Sequence, residues 1–187
     1  MKYIDSFQFM NSSLAKLAAN IGAVTCKKTN GCNHVSRIDK NRCLGHPEKY
    51  KITMQYYTKK GLTPEIIALI LRKGVFSYEY NDSHECFKET KLPPIDKFHG
   101  TLSGKCSQED YEHAQKIWET FNCKNLGEYS DIYFKTDVLL LADVWTTFRE
   151  TSMKYYKLDP SHYISAASFS WDAMLRYTGI LFVAYVS

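Results

Sequence analysis

The chain has 187 residues, of which 44% are hydrophobic and 14% aromatic, and its formal net charge is +4. This length suits one domain, or part of a larger one, that buries roughly 70% of its unfolded surface, and the composition excludes a disordered chain. An isoelectric point of about 8.6 permits contact with nucleic acid without indicating it, because domains with that function usually lie above about 9.

The N-terminus has no cationic start followed by an apolar run, so the six cysteines do not indicate a secreted disulfide framework. We expect reduced thiols in an intracellular protein of the nucleus or cytoplasm. The apolar tail at 179–187 is shorter than the roughly 20 residues that span a bilayer, and we therefore expect no membrane partner. It resembles a buried strand or an abrupt chain end.

Branched and aromatic residues in Lys2–Met10 predict a strand at the very start of the chain, as if the chain had been cut. Phe7 in this segment has two interpretations: its ring is either buried in the core or exposed and free to stack. A short helix is predicted over Leu14–Ile21, with Ser12 or Ser13 as its cap and Gly22 at its end.

Residues 26–47 form a polar, basic insertion rich in metal-ligand residue types. Three thiols and two imidazoles could supply a tetrahedral structural Zn²⁺ site. The spacing fits no standard zinc finger closely, so a surface loop that happens to hold these residues is the alternative. The candidate ligands are Cys26, Cys32, His34, Cys43 and His46.

Two helices with clear start signals are predicted in the middle of the chain. The first runs over Ile66–Arg72 after Thr63 and Pro64, and Lys73 at its exit suits the negative end of the helix dipole. Residues 80–104 are predicted to be mainly loop. The second helix starts at the capping box Ser107–Asp110 and reaches Phe121, and its inward face is Tyr111, Ala114, Trp118 and Phe121.

The stretch from Tyr133 to Glu150 has no Gly or Pro and predicts one long, buried helix. Its predicted inward stripe is Val138, Leu141, Trp145 and Phe148, widened by Leu140 and Val144. Tyr133 and Asp137 are four residues apart and therefore share a face. A carboxylate there needs a hydrogen bond, a place at the helix start or a cation. A last helix is predicted over Ala166–Tyr177.

Several short segments together resemble the protein-primed family B DNA polymerases, most closely those of Polinton/Maverick-like mobile elements and related viruses. The segments are Lys73-Gly-Val-Phe-Ser-Tyr78, Leu92-Pro-Pro94, Glu109-Asp-Tyr-Glu-His-Ala114, Tyr133-x-x-x-Asp137-Val-Leu-Leu-Leu-Ala-Asp-Val144 and Trp171-Asp-Ala-Met174. The resemblance covers roughly residues 1–178. It implies an α/β, ribonuclease-H-like 3′–5′ exonuclease domain that is incomplete and helix-rich in this fragment.

The resemblance also implies roles for individual residues. Asp137 matches a ligand of catalytic Mg²⁺, Tyr133 a residue that orients the attacking water, and Lys73 a residue that assists exonucleolysis. Ser6, Phe7 and Tyr78 match residues that hold the single-stranded primer end, although Phe7 replaces the usual Leu. The pair Asp110-x-Glu112 imitates the first exonuclease motif but belongs to a helix turn, so we assign it no chemistry.

The other carboxylates that two-metal hydrolysis needs, and the polymerase motifs, are not found in the sequence. We therefore expect a fragment truncated at both ends, inactive alone, of an enzyme that uses DNA, deoxynucleotides and a terminal protein. A second hypothesis is a non-catalytic nucleic-acid-binding or protein-binding remnant whose loop is held by zinc.

Overall fold

A computed structural model describes residues 5–24, 43–44, 49–100 and 104–180. These residues form a helix-rich structure made of two compact units. The contiguous unit comprises Leu14–Asp143, and the terminal unit comprises Met1–Ser13 together with Val144–Ser187. Among the described residues, no helix has both the length and the apolar character needed to cross a bilayer.

The helices are α1 (Leu14–Gly22), α2 (Lys51–Lys59), α3 (Pro64–Ile70), α4 (Gln108–Thr120), α5 (Leu126–Tyr156) and α6 (Ala166–Thr178). Short 3-10 turns lie at Ser6–Gln8, Cys86–Lys88, Ile95–Lys97 and Pro160–His162. Two antiparallel pairs of very short strands are present, β1 (Ala23–Val24) with β2 (Cys43–Leu44) and β3 (His99–Gly100) with β4 (Gly104–Lys105). A larger ribonuclease-H-like sheet remains a prediction.

Four predicted helices are confirmed as α1, α3, α4 and α6, and local capping contacts are observed at the starts of α4 and α6. At α4, for example, the Ser107 hydroxyl accepts a hydrogen bond from the Asp110 N–H at 3.1 Å. This contact also confirms that Asp110 belongs to a helix turn. In contrast, α2 was not predicted, since its mixed sequence has no side-chain cap of its own at Tyr50.

The strand predicted over Lys2–Met10 is wrong for its described residues, which start at Asp5. The Asp5 carboxylate accepts a hydrogen bond from the Phe7 N–H at 2.9 Å and closes a 3-10 turn over Ser6–Gln8. This local bond competes with an extended conformation, as short polar side chains commonly do. Phe7 is 56% exposed, so its interpretation as a core residue is also wrong.

The long helix is confirmed, but α5 begins about two turns before Tyr133. The Asn125 side chain accepts from the Glu128 N–H at 3.0 Å, and Glu128 accepts from the Lys124 N–H at 2.8 Å, which caps the true start. Asp137 therefore lies well inside the helix. Its alternative interpretation as a helix-start residue is wrong.

The predicted inward stripe of α5 is partly wrong. Val138 and Leu141 are 67% and 38% exposed, whereas Leu140 is fully buried. The observed inward face advances by threes and fours through Leu126, Tyr129, Tyr133, Thr136, Leu140 and Asp143. Because this face contains hydroxyls and a carboxylate, it is less apolar than the stripe that periodicity selected.

The contiguous unit has one main core between α2, α3, α4 and α5. Its most buried members are Ile67, Ile70, Ala114, Leu126 and Tyr129. Asp143 also lies in this unit and is 2% exposed. Its carboxylate accepts from the N–H groups of Ile52 and Thr53 at 2.8 and 3.0 Å and from the Thr53 hydroxyl at 2.6 Å. A side chain of α5 therefore caps the start of α2.

The terminal unit is held by aromatic packing. Phe9 packs edge-on against Trp145 at 5.3 Å between ring centroids and contacts Phe148 at 6.1 Å. Phe148 in turn contacts the buried ring of Phe169 on α6 at 6.0 Å. Such edge and offset arrangements match the charge distribution of aromatic rings and stabilise a core beyond area alone.

Candidate functional site

Lys73 and Asp137 meet in the contiguous unit although 64 positions separate them in the chain. The Lys73 ammonium donates a hydrogen bond to Oδ2 of Asp137 at 3.0 Å. The two side chains are 31% and 19% exposed, respectively, so the pair lies at the edge of the solvent rather than in the core. The two residues that the polymerase resemblance assigned to one active site are therefore in direct contact.

The segment that carries Lys73 is fixed against α5 by three contacts. The Tyr129 hydroxyl donates to the Val75 carbonyl at 2.8 Å. The ring of Phe76 stacks on that of Tyr133, with centroids 5.0 Å apart and planes 20° apart. A β-carbon at Gly74 would lie 3.4 Å from the Tyr133 ring, so the backbone passes close to it. Lys73 is thus held where it can reach Asp137.

Tyr133 is 6% exposed, and its hydroxyl shares a hydrogen bond of 2.8 Å with that of Tyr78. Burial raises the pKa of Tyr133 well above its usual value, and the bond with Tyr78 and the nearby Asp137 charge raise it further. The phenol therefore remains protonated at neutral pH and cannot act as a general base. It can orient a neighbouring group by hydrogen bonding, which is the role that the resemblance implied.

The second oxygen of Asp137, Oδ1, is buried and accepts no hydrogen bond within the usual distance, although the Tyr133 hydroxyl interacts with this carboxylate. A buried carboxylate oxygen is costly when it is unpaired, so this atom has capacity for a donor or a cation. Hydrolysis with two metal ions needs several carboxylates around them. In the described part of the chain, no group of three His, Cys, Asp or Glu residues could hold a metal ion. Asp137 thus offers one ligand position and not a complete Mg²⁺ site.

We call Lys73, Tyr78, Tyr133 and Asp137 the Asp137 cluster. No protein-family model, curated protein or solved structure matches the chain. The geometry of this cluster and the sequence motifs that contain its residues are therefore the basis for proposing a function for the chain.

The remaining predicted site residues are not part of the Asp137 cluster. Ser6 and Phe7 belong to the terminal unit, on the turn at Ser6–Gln8. Of the predicted zinc ligands, only Cys43 falls within an element, at the start of β2, and its side chain is not described. Cys26, Cys32, His34 and His46 lie outside the described residues. The zinc site remains a prediction.

The sequence assigned no role to Phe134 or Asp143, and it gave Phe76 only as the hydrophobic residue of the motif that begins at Lys73. The Phe76 ring stacks on that of Tyr133, and the Phe134 ring lies 5.1 Å from the Phe76 ring, measured between centroids. Asp143 follows Asp137 on α5 and caps α2. Asp143 could have been identified as an acidic residue on a largely apolar helix, because a buried carboxylate needs hydrogen-bond partners. No sequence signal identified which oxygen atoms would remain free.

Proposed function

We propose that the chain is part of the ribonuclease-H-like 3′–5′ exonuclease domain of a protein-primed family B DNA polymerase. The observation that carries the proposal is the 3.0 Å contact between Lys73 and Asp137, with Tyr78 and Tyr133 beside them. The motifs that contain these residues imply a common site independently of the geometry. A helix-rich structure in the described residues is compatible with part of such a domain.

In the intact enzyme, Asp137 would be one ligand of a catalytic Mg²⁺, which would activate water and stabilise the leaving oxygen. Tyr133 orients the attacking water through its protonated hydroxyl, and the Lys73 ammonium stabilises the charge that develops on the phosphodiester. Tyr78 contacts the frayed single strand in the contiguous unit, and Ser6 and Phe7 of the terminal unit keep their predicted role as strand-binding residues. The enzyme proofreads deoxynucleotides that it adds to a primer held by a terminal protein.

We expect no exonuclease turnover from this chain alone, because the Asp137 cluster supplies a single carboxylate. The test therefore measures cation binding. Mn²⁺, a spectroscopic substitute for Mg²⁺, is titrated against the chain while the signal of free Mn²⁺ is recorded. Asp137→Asn should weaken binding by about tenfold or more, the scale on which ligand-shell changes act. Lys73→Met removes a competing positive charge and should strengthen binding.

Asp131→Asn is the matched control, because Asp131 is an exposed acid on the same helix that pairs with Lys135. It should leave Mn²⁺ binding unchanged. If Asp137→Asn binds Mn²⁺ as the wild type does, Asp137 is a structural residue and the proposed exonuclease role is wrong.

A non-catalytic nucleic-acid-binding module is the second candidate function. One observation supports the non-catalytic part of this alternative: the only ion-pair partner of Asp137 in the described residues is the Lys73 ammonium, which neutralises it. In that case Lys73 and Asp137 stabilise the fold, and neither variant changes Mn²⁺ binding. Single-strand binding would then persist in Asp137→Asn.

A further inference from the structure

Phe134 presents an aromatic ring to the solvent beside the Asp137 cluster. Phe134 is 47% exposed and Tyr78 is 53% exposed. Phe76, which packs against both of these rings, is only 8% exposed. Phe76 lies 5.1 Å from each of the two exposed rings, measured between centroids. The buried ring therefore supports two half-exposed rings on one surface.

Both exposed rings are held in place before any ligand arrives. Phe134 stands on the rigid helix α5 and contacts the Tyr133 ring at 5.4 Å. Tyr78 is anchored by the 2.8 Å bond between its hydroxyl and that of Tyr133. Because little side-chain freedom remains to be lost, a flat ligand could stack on these rings at a small entropic cost.

Two cations in this part of the chain are paired with carboxylates. Lys73 pairs with Asp137, and Lys135 pairs with Asp131 at 2.6 Å. A surface of this kind has little net attraction for a phosphate backbone, which would need unpaired cations. It is suited to the flat faces of bases, which stack on aromatic side chains with little dependence on sequence.

We propose that Phe134, together with Tyr78, forms a stacking platform for a base of single-stranded nucleic acid next to Asp137. The proposal rests on the proposed function and adds a binding residue, Phe134, that the motifs do not assign. The base lies against the exposed face of Phe134, and the adjoining phosphodiester is thereby brought towards Asp137 and Lys73.

The exposed apolar surface continues along α5 through Val138 and Leu141, which are 67% and 38% exposed. A protein partner could cover such a stripe. We favour a base because the exposed side chain of Phe134 is aromatic and packs, like that of Tyr78, against the Phe76 and Tyr133 rings. Val138 therefore provides a matched control, since it is exposed on the same helix and has no π-face.

The experiment measures the affinity of fluorescein-labelled oligothymidine by anisotropy, with and without an abasic stretch, for the wild type, Phe134→Leu, Phe134→Trp and Val138→Ser. Phe134→Leu keeps apolar packing and loses the π-face. We expect about a fivefold or larger loss of affinity for oligothymidine, the lower end of one stacked base. The loss should not depend on salt, and it should be absent with the abasic oligonucleotide. Phe134→Trp should retain or improve binding.

Thermal unfolding followed by circular dichroism checks that the variants fold as the wild type does. Wild-type affinity in Phe134→Leu would overturn the stacking role while leaving the proposed function intact. An equal loss in Val138→Ser would also overturn it and indicate a protein-docking stripe. If the wild type binds neither oligonucleotide, the proposed function fails together with this inference.

Discussion

Two aspartates on α5 show how the partners of a carboxylate decide its role. Both oxygens of Asp143 are occupied, by the N–H groups of Ile52 and Thr53 and by the Thr53 hydroxyl. Asp137 has one oxygen bound to Lys73 and one buried oxygen that accepts no hydrogen bond within the usual distance. Asp143 is thus a structural residue, and Asp137 retains capacity for a ligand.

Asp143→Asn tests the structural role at the scale of one residue. The Asn amide keeps the shape of the Asp143 carboxylate but places an NH₂ group against hydrogen-bond donors. Some of the buried N–H or hydroxyl groups of Ile52 and Thr53 are then left without an acceptor. We expect the free energy of unfolding to fall by about 2–4 kcal/mol, the sum of a lost cap and an unsatisfied buried donor.

The measurement is urea unfolding monitored by far-UV circular dichroism. Asp131→Asn is again the control and should change stability by less than about 0.5 kcal/mol, because its pair with Lys135 is exposed. Equal stability of Asp143→Asn and the wild type would show that these hydrogen bonds contribute little.

Single residues differ in how far the sequence predicts their surroundings. The spacing of Tyr133 and Asp137 was enough to place them on one face of a helix, since helical geometry fixes that relation. The proximity of Lys73 to Asp137 came only from the family resemblance, because no local rule relates residues so far apart. The exposure of Phe134 followed from neither, as it depends on which face of α5 is covered.

At the scale of elements, local signals predicted where helices begin better than which face they bury. The capping contacts at Ser107 gave the start of α4 correctly. At α5 the equivalent capping signal, Asn125 with Glu128, lies upstream of the apolar run from which the helix was predicted. The buried face of α5 could not be read from periodicity, because distant residues provide partners for its polar side chains: the Ile52 N–H donates to Asp143, and the Phe76 ring stacks on Tyr133.

The packing of α4 on α3 depends on a histidine. Nε2 of His113 lies 2.9 Å from the Leu69 carbonyl, near the end of α3. A carbonyl can only accept, so Nε2 carries the proton and Nδ1, which is buried without a partner, is the bare nitrogen. His113 thus satisfies a terminal carbonyl of α3 in its neutral form.

Burial lowers the pKa of His113 from its ordinary value of 6.5, while the Leu69 carbonyl partly opposes this shift. Arg72 and Lys116 lower the pKa further, and Asp110 raises it. The unfolded chain then binds the proton more readily than the folded chain does. The stability that depends on neutral His113 is fully present above pH 6.5 and declines as the pH falls below that value.

We expect His113→Gln to make stability less dependent on pH in this range. The measurement compares urea midpoints of wild type and His113→Gln at about pH 7.5 and about pH 5.5, on either side of the unfolded pKa. The wild type should lose more stability on acidification than the variant. Parallel losses in the two proteins would contradict the assignment to His113.

At the scale of the whole molecule, the chain divides into two compact units, and the partial exonuclease domain expected over 1–178 stays a prediction. The terminal unit joins Met1–Ser13 to Val144–Ser187, and α5 contributes to both units. Sequence patterns describe neighbours along the chain, so they gave no indication that Phe9 would pack against Trp145. Pairings of this kind require information on distant residues that one sequence does not contain.

The predicted zinc loop, residues 26–47, would add a metal-stabilised segment to the contiguous unit. We expect about one zinc per chain, measured by atomic absorption after purification without added metal. Cys43→Ser should abolish the bound zinc. Cys86→Ser is the control, since Cys86 is a free, partly buried thiol of another segment, and it should retain zinc. A metal-free wild type would refute the prediction.

The order of synthesis has a consequence for the terminal unit. Phe9 leaves the ribosome well before its partners Trp145 and Phe148 are translated. At the usual pace of synthesis the contiguous unit can collapse around its own core while Phe9 is still unpaired. A transient binder of nascent apolar segments would therefore protect the segment around Phe9 until Trp145 and Phe148 become available.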